Sequence, residues 1–480
     1  MPDALHTTVE TFLVLLLIVF VVAALVQRIR LPYTIALVAV GFLGLRPSYL
    51  PAYLTPDLIL LVFLPVLLFE GAYNVPAARL WQNVVPITLL AVPGVLIGTA
   101  VTGAIVHATL GLPWGVALLF GALISSTDPI AVVSLFRQLG APRRLALLVE
   151  GESLFNDGAA ITLFQIILVV VMTGALGIAG GVARFVITVA GALVVGGVVG
   201  YGGSRLLRAI DNAQIQITAT VVAAYGAYLL AETLTFSGAI AVVVTALFFG
   251  NYGSARGLSP RSVHALGATW EFFGFVANSL IFLLIGIALD PLTIAGHWWV
   301  IGVAFVAALA GRAVVVYLLM PLLRGARKIP GTYLPVLLWG GLRGAVSLAL
   351  VLSIPLALPN GQAFPDRELL QVMAFGVVGA SLLLQGLTMA PLLRRLGLRT
   401  AKARAEGSPE GAESAESEVE LLRARLAAVE GALLALSHEH DRGEVGALQY
   451  ARLSGAYQAE HAQLQAQLRH IEDAERDEAG

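Results

Sequence analysis

The chain has 480 residues, 58% of them hydrophobic and only 12% charged, with a mean hydropathy of +0.86. Soluble domains carry about 25% charged residues, so the composition excludes an ordinary soluble domain and points to a polytopic membrane protein. The absence of cysteine excludes disulfides, thiol catalysis and cysteine-based metal sites, and the net charge of −1 hides an asymmetry: 16 acidic and 8 basic residues in 401–480, against 14 acidic and 21 basic in 1–400.

That asymmetry divides the chain into a membrane region over 1–400, a Gly-, Ser-, Glu- and Pro-rich linker over 401–418, and a helical tail over 419–480. In chain order, mostly apolar stretches of about 20 residues, the length that crosses a bilayer, fall at about 10–27, 31–45, 57–73, 84–107, 112–136, 143–173, 182–205, 214–234, 236–251, 263–290, 296–323, 331–357 and 367–393. The first reads as a retained helix, since it lacks the layout of a cleavable signal. The second and ninth are short, which leaves twelve or fourteen spans open. Arginine placement favours thirteen. Alternate loops hold Arg28 and Arg30; Arg79; Arg137, Arg143 and Arg144; Arg205 and Arg208; Arg256 and Arg261; Arg324, Arg327 and Lys328; and Arg394, Arg395 and Arg399, while the other loops are nearly bare. The positive-inside rule puts the rich loops in the cytoplasm of a cell membrane, with the N-terminus outside and the tail inside.

Few polar residues fall well inside these stretches, and each is expensive there. Glu70 closes the third stretch and reads either as a cavity carboxylate or as one snorkelling to the interface. The fifth contains Ser125-Ser126-Thr127-Asp128-Pro129. Pro129 removes a backbone donor and disfavours helix at Asp128, which frees carbonyls near Thr127 to face a cation. The twelfth contains Gly340-Gly341-Leu342-Arg343-Gly344, a second interruption. Paired interrupted helices in matching positions of two halves point to an inverted-repeat transporter; a simple Pro kink is the bland reading of the first.

The sixth stretch carries Ser153-Leu154-Phe155-Asn156-Asp157-Gly158. Residues four apart share a helix face, so Ser153 and Asp157 form one stripe, able to offer oxygens to a hard cation. Glu152 and Asn156 form the adjacent stripe, able to hold a buried arginine, for which Arg343 in the other interrupted helix is the expected partner. Glu150 reads as interfacial, and Glu271 with Arg312 as a structural pair. In the tail, Leu422, Leu426, Val429, Leu433 and Leu436 keep a 4-3-4-3 spacing. Leu453, Tyr457, Leu464, Leu468 and Ile471 follow after a break, which suggests a helical hairpin or coiled coil with tail-tail or regulatory contacts, or an ordinary amphipathic tail.

No Walker-type loop, His/Cys metal spacing or Ser-His-Asp arrangement is present. No enzyme activity, cofactor or nucleic-acid partner is expected. A cation channel would need a continuous pore, and a sodium-coupled symporter would need an organic-substrate pocket.

Taken together, Leu64–Gly71, Ser125–Val133, Glu150–Ala160, Trp270–Gly286 and Gly340–Leu350 resemble the monovalent cation:proton antiporter family 1, the NhaP-type and animal-type sodium/hydrogen exchangers. The resemblance spans residues 10–395. It implies an all-α inverted-repeat fold with a core and a dimerisation domain, a homodimer in membrane lipid, and electroneutral exchange of one Na⁺ (or Li⁺, sometimes K⁺) for one H⁺ by an elevator-like movement. It implies that Asp157 is the ion- and proton-binding carboxylate, with Asn156 beside it. Ser153, the Thr127 carbonyl and Glu70 are then Na⁺ ligands, and Asp128 is the acidic residue at the helix crossover. Glu152 and Arg343 are implied as a buried salt bridge holding Asn156.

Overall fold

The computed structural model describes residues 2–26, 33–44, 58–129, 132, 133, 136, 141–174, 177–210, 212–253, 260–288, 295–323 and 328–398, with scattered positions between 426 and 468. The chain forms two compact units, Met1–Leu398 and Arg399–Gly480. Arg28, Arg30, Arg46, Arg137, Arg256, Arg324, Arg327, Arg399 and the 401–418 stretch lie outside the described residues, as do Leu422, Leu453 and Ile471.

The first unit is almost wholly helical. Helices α1 (Pro2–Val26) and α2 (Tyr33–Gly44) precede a π-helical segment, Leu58–Phe63, that runs into α3 (Leu64–Tyr73). Short helices α4 (Ala77–Gln82) and α5 (Val84–Ala91) lead to α6 (Pro93–Leu110) and α7 (Trp114–Ser125). The break between α5 and α6 sits at Val92–Pro93, where the ring cannot continue the helical ladder. The longest element, α8 (Arg143–Thr173), starts after Pro142 and stops at Gly174, whose φ of 65° is the left-handed conformation that glycine adopts without penalty.

The chain continues through α9 (Ile178–Leu207), α10 (Ala213–Thr233), α11 (Gly238–Phe248) and α12 (Pro260–Ala288). Then come α13 (Trp298–Leu319), the short α14 (Leu334–Trp339), α15 (Ala345–Leu352), α16 (Arg367–Ala380) and α17 (Gly386–Arg395), the last two joined by a π-helical turn. Among the described residues, seven helical runs are long and apolar enough to cross a bilayer by themselves, and shorter apolar helices fall in other predicted stretches. Among the described residues, extended pairing is limited to one antiparallel bridge, Ala357–Ala363.

Packing serves the middle of the molecule. Helix α6 lies against α7 and α13, while α8 is embraced by α5, α7 and α11. Its inner face is built from small residues: Gly151, Gly158, Ala159 and Ala160 are buried beside the polar run, which lets neighbouring backbones come close. A second close crossing joins α2 to α12, where a Cβ added to Gly41 would stand 2.9 Å from the Gly286 Cα. Gly41→Val is therefore expected to force these helices apart and lower stability by about 1–3 kcal/mol, read as earlier thermal unfolding in detergent.

In the second unit, Val429, Leu436 and Leu464 are buried. His461 Nε2 lies 3.0 Å from Glu430 Oε1, a contact across 31 residues that brings the two apolar stretches of the tail side by side.

Candidate functional site

The site grows from two interruptions. Helix α7 stops at Ser125, and Ser126–Pro129 leaves the helix, Ser126 having φ −59° and ψ 136°. Helix α14 stops at Trp339, and α15 restarts only after Gly344. The two unwound segments meet: the Asp128 N–H donates to the Leu342 carbonyl at 2.8 Å. A Cβ at Gly344 would stand 2.5 Å from the Asp128 Cβ, so only glycine permits this approach.

Each stopped helix presents unsatisfied carbonyls carrying partial negative charge, and each is met by an arginine. Arg343 Nη1 donates to the carbonyls of Ser125 (3.1 Å) and Ser126 (3.2 Å) at the end of α7. Arg312 Nε and Nη2 donate to the Leu337 carbonyl of α14 at 3.0 and 2.9 Å.

This arrangement corrects two expectations. The buried partner of Glu152 is Arg312, which grips both carboxylate oxygens, with Nη2 to Oε2 at 2.8 Å. Arg343 is occupied by the carbonyls of the opposite broken helix. The reason is geometric: the planar guanidinium of Arg312 satisfies both oxygens of Glu152 and a helix-end carbonyl together, while Arg343, which lines the same small cavity, is drawn to the backbone carbonyls of Ser125 and Ser126. Glu271, the expected partner of Arg312, is exposed on α12.

The two stripes of α8 therefore divide the labour. Asn156 holds Thr127, its Nδ2 donating to the Thr127 hydroxyl at 2.6 Å and its Oδ1 accepting from the Thr127 N–H at 3.4 Å. Ser153 donates to the Thr127 carbonyl. Asp157 Oδ1 accepts from the Ser126 hydroxyl at 2.5 Å. Glu152, Ser153 and Asn156 are each about 1% exposed, and Asp157 is 9% exposed.

Asp157 opens onto a cavity of about 190 Å³ whose lining includes Ser153, Thr127, Asp128, Glu70 and Ser126. A single water needs only about 10–15 Å³ of such space, so the cavity has room for a partly hydrated ion. Glu70 lies against Gly274 of α12, its Oε1 3.3 Å from Asn74 Nδ2. Glu150, read from the sequence as interfacial, also lines the cavity and is half-buried. Neither arginine is among the lining residues. The residue that sequence reasoning missed is Ser126. Unwinding before Pro129 brings Ser126, Thr127 and Asp128 all to the cavity lining, with the Thr127 hydroxyl held by Asn156 and the Ser126 hydroxyl by Asp157.

A family model described as "Sodium/hydrogen exchanger, transmembrane" matches residues 15–395. The chain is 39% identical over 408 residues to the Na⁺/H⁺ antiporter NhaG of Bacillus atrophaeus, covering 82% of this chain and 76% of that one. It is 39% identical over 365 residues to the Na⁺/H⁺ antiporter NhaP of Pseudomonas aeruginosa, covering 73% and 84%. In three dimensions it resembles the sodium proton antiporter MjNhaP1 of Methanocaldococcus jannaschii, with a TM-score of 0.70 at 18% identity over 82% of this chain and 99% of that one; this likeness speaks to the fold. The paired interrupted helices, the buried run on α8 and these matches together make the chain a multi-pass membrane transporter, not an enzyme, and a member of the sodium/hydrogen exchanger family.

Proposed function

We propose that this protein is a secondary antiporter exchanging a monovalent cation, Na⁺ first and Li⁺ or K⁺ as alternatives, for H⁺ in an electroneutral one-for-one cycle. The observation that carries the reading is the setting of Asp157. It is a buried carboxylate on a cavity, while Arg312 is taken up by Glu152 and Arg343 by helix-end carbonyls. A bare carboxylate is costly to move through hydrocarbon, so Asp157 crosses with a cation or with a proton, never with both. Ser153, the Thr127 carbonyl, Glu70 and Asp128 supply further hard oxygen ligands, and Asn156 holds the Thr127 segment in place. Movement of the core in an elevator-like step then exposes the same site to either side.

The predicted orientation makes the cavity cytoplasm-facing, because Glu150 lies seven residues, or about 10 Å along α8, from the arginine-bearing end at Arg143. The protein is proposed to sit in the cell (inner) membrane, with the N-terminus outside and the tail in the cytoplasm, as a homodimer without a cofactor. The exposed apolar residues of α1, such as Leu17 and Phe20, and of α9, such as Val194 and Val198, suit lipid or a second copy.

The test is transport in proteoliposomes loaded with a pH-sensitive dye, with Na⁺, Li⁺ and K⁺ supplied in turn at clamped voltages. Cation-triggered proton flux that is indifferent to voltage is expected. Uncoupled cation current would replace the reading with a channel, and flux requiring an organic solute would replace it with a symporter.

A further inference from the structure

Resting on the antiport reading, one feature of the cavity extends the ion site to a residue outside the set just described. Ser126 is 2% exposed, lines the cavity, and donates its hydroxyl hydrogen to Asp157 Oδ1 at 2.5 Å. Its backbone is held independently, since its carbonyl and that of Ser125 both accept from Arg343 Nη1. The side chain thus starts from a fixed main chain, which is how a site is preorganised.

A hydroxyl has one proton and two lone pairs. The proton of Ser126 is committed to Asp157, so both lone pairs are left for the cavity. The Ser153 hydroxyl likewise gives its proton to a neighbour, the Thr127 carbonyl, so its lone pairs also remain for the ion, and Ser126 adds a second hydroxyl oxygen beside the carboxylate. An ion that settles on Asp157 therefore has the Ser126 oxygen within one ligand spacing of the carboxylate oxygen, with no donor needing to rotate away first. We propose that the Ser126 hydroxyl is a further cation ligand of the Asp157 site, bracing the carboxylate and offering its oxygen to the same monovalent ion.

The test compares Ser126→Ala, Ser126→Thr and Ser126→Val with wild type, in two assays. One is the Na⁺ and Li⁺ dependence of proton flux in proteoliposomes. The other is the Na⁺ concentration giving half-maximal thermal stabilisation of the purified protein, a binding readout independent of transport. Ser126→Ala and Ser126→Val are expected to raise the apparent KM and the half-stabilising Na⁺ concentration roughly five- to tenfold, the size of one lost polar contact. The effect falls on KM more than on maximal rate. Ser126→Thr restores the hydroxyl and is expected to return both values toward wild type, while Ser126→Val, matched to Thr in shape, is not. Unchanged Na⁺ dependence in Ala and Val, or equal behaviour of Thr and Val, overturns the assignment. Wild-type protein that moves no protons in response to cations defeats the antiport reading instead, and the stabilisation assay then still decides whether Ser126 binds the ion.

Discussion

Asp157→Asn is expected to abolish cation-dependent proton movement, by about a hundredfold or more, while leaving the folded protein intact. The substitution keeps size and shape, and the amide oxygen can still accept from Ser126, so the contact at 2.5 Å has a successor. What disappears is the charge. An amide neither neutralises a bound cation nor releases a proton, and an ion moved without its counter-charge faces a barrier of about 3 kcal/mol or more at membrane depth, which at 1.4 kcal/mol per tenfold gives the expected loss. The measurement is initial dye-reported proton flux per reconstituted protein, paired with the thermal unfolding profile in detergent. Flux near the wild-type level in the Asn protein would remove Asp157 from the centre of the mechanism. A collapsed unfolding profile would show that the carboxylate serves the fold.

The parts of this site that could be read from the sequence are those set by local geometry. Helix periodicity alone places Ser153 with Asp157 and Glu152 with Asn156, and α8 separates those pairs as expected, one toward the cavity and one away from it. Pro129 and the Gly340–Gly344 run likewise announce their interruptions, because proline and glycine act on the chain that carries them. The apolar run expected at about 84–107 falls within the helical span Val84–Leu110, and the break at Pro93 inside it follows from the same chemistry.

The illegible parts depend on which helices become neighbours. Nothing in the residues around Arg312 says that α13 will lie against α6 and bring the guanidinium to Glu152, some 160 positions earlier. The sequence pairs Glu152 with Arg343 because Arg343 sits in the other interrupted helix, and it offers Arg312 and Glu271 as a structural pair. The structure gives Glu152 to Arg312 and turns Arg343 to backbone carbonyls, meeting a need invisible in one dimension: two helices that end inside the molecule, each with carbonyls to satisfy. Ser126 escaped for a related reason. Its role follows from the direction of an extended segment, and that direction exists only once the helix has stopped.

The Glu152–Arg312 pair supplies the second large effect. Arg312→Ala would strand a carboxylate that is 1% exposed and would also leave the Leu337 carbonyl without its donors. Removing one partner of a buried pair costs about 3–5 kcal/mol, enough to remove much of the stability of an ordinary domain. The expected result is a large fall in the unfolding midpoint in detergent and little folded protein in the membrane. Arg312→Lys is expected to recover only part of this, since a single ammonium cannot hold both carboxylate oxygens and the carbonyl at once. A double-mutant cycle separates the two candidate pairings. Glu152 with Arg312 is expected to couple by about 2–3 kcal/mol, and Glu152 with Arg343 by less than about 1 kcal/mol. The reverse ranking would return Arg343 to the role its motif suggests. Arg343→Ala should act elsewhere, by releasing the carbonyls of Ser125 and Ser126 and so loosening the segment that presents Ser126 to Asp157. Its signature is therefore a weakened dependence on Na⁺ in folded protein, where that of Arg312 is loss of the folded protein itself.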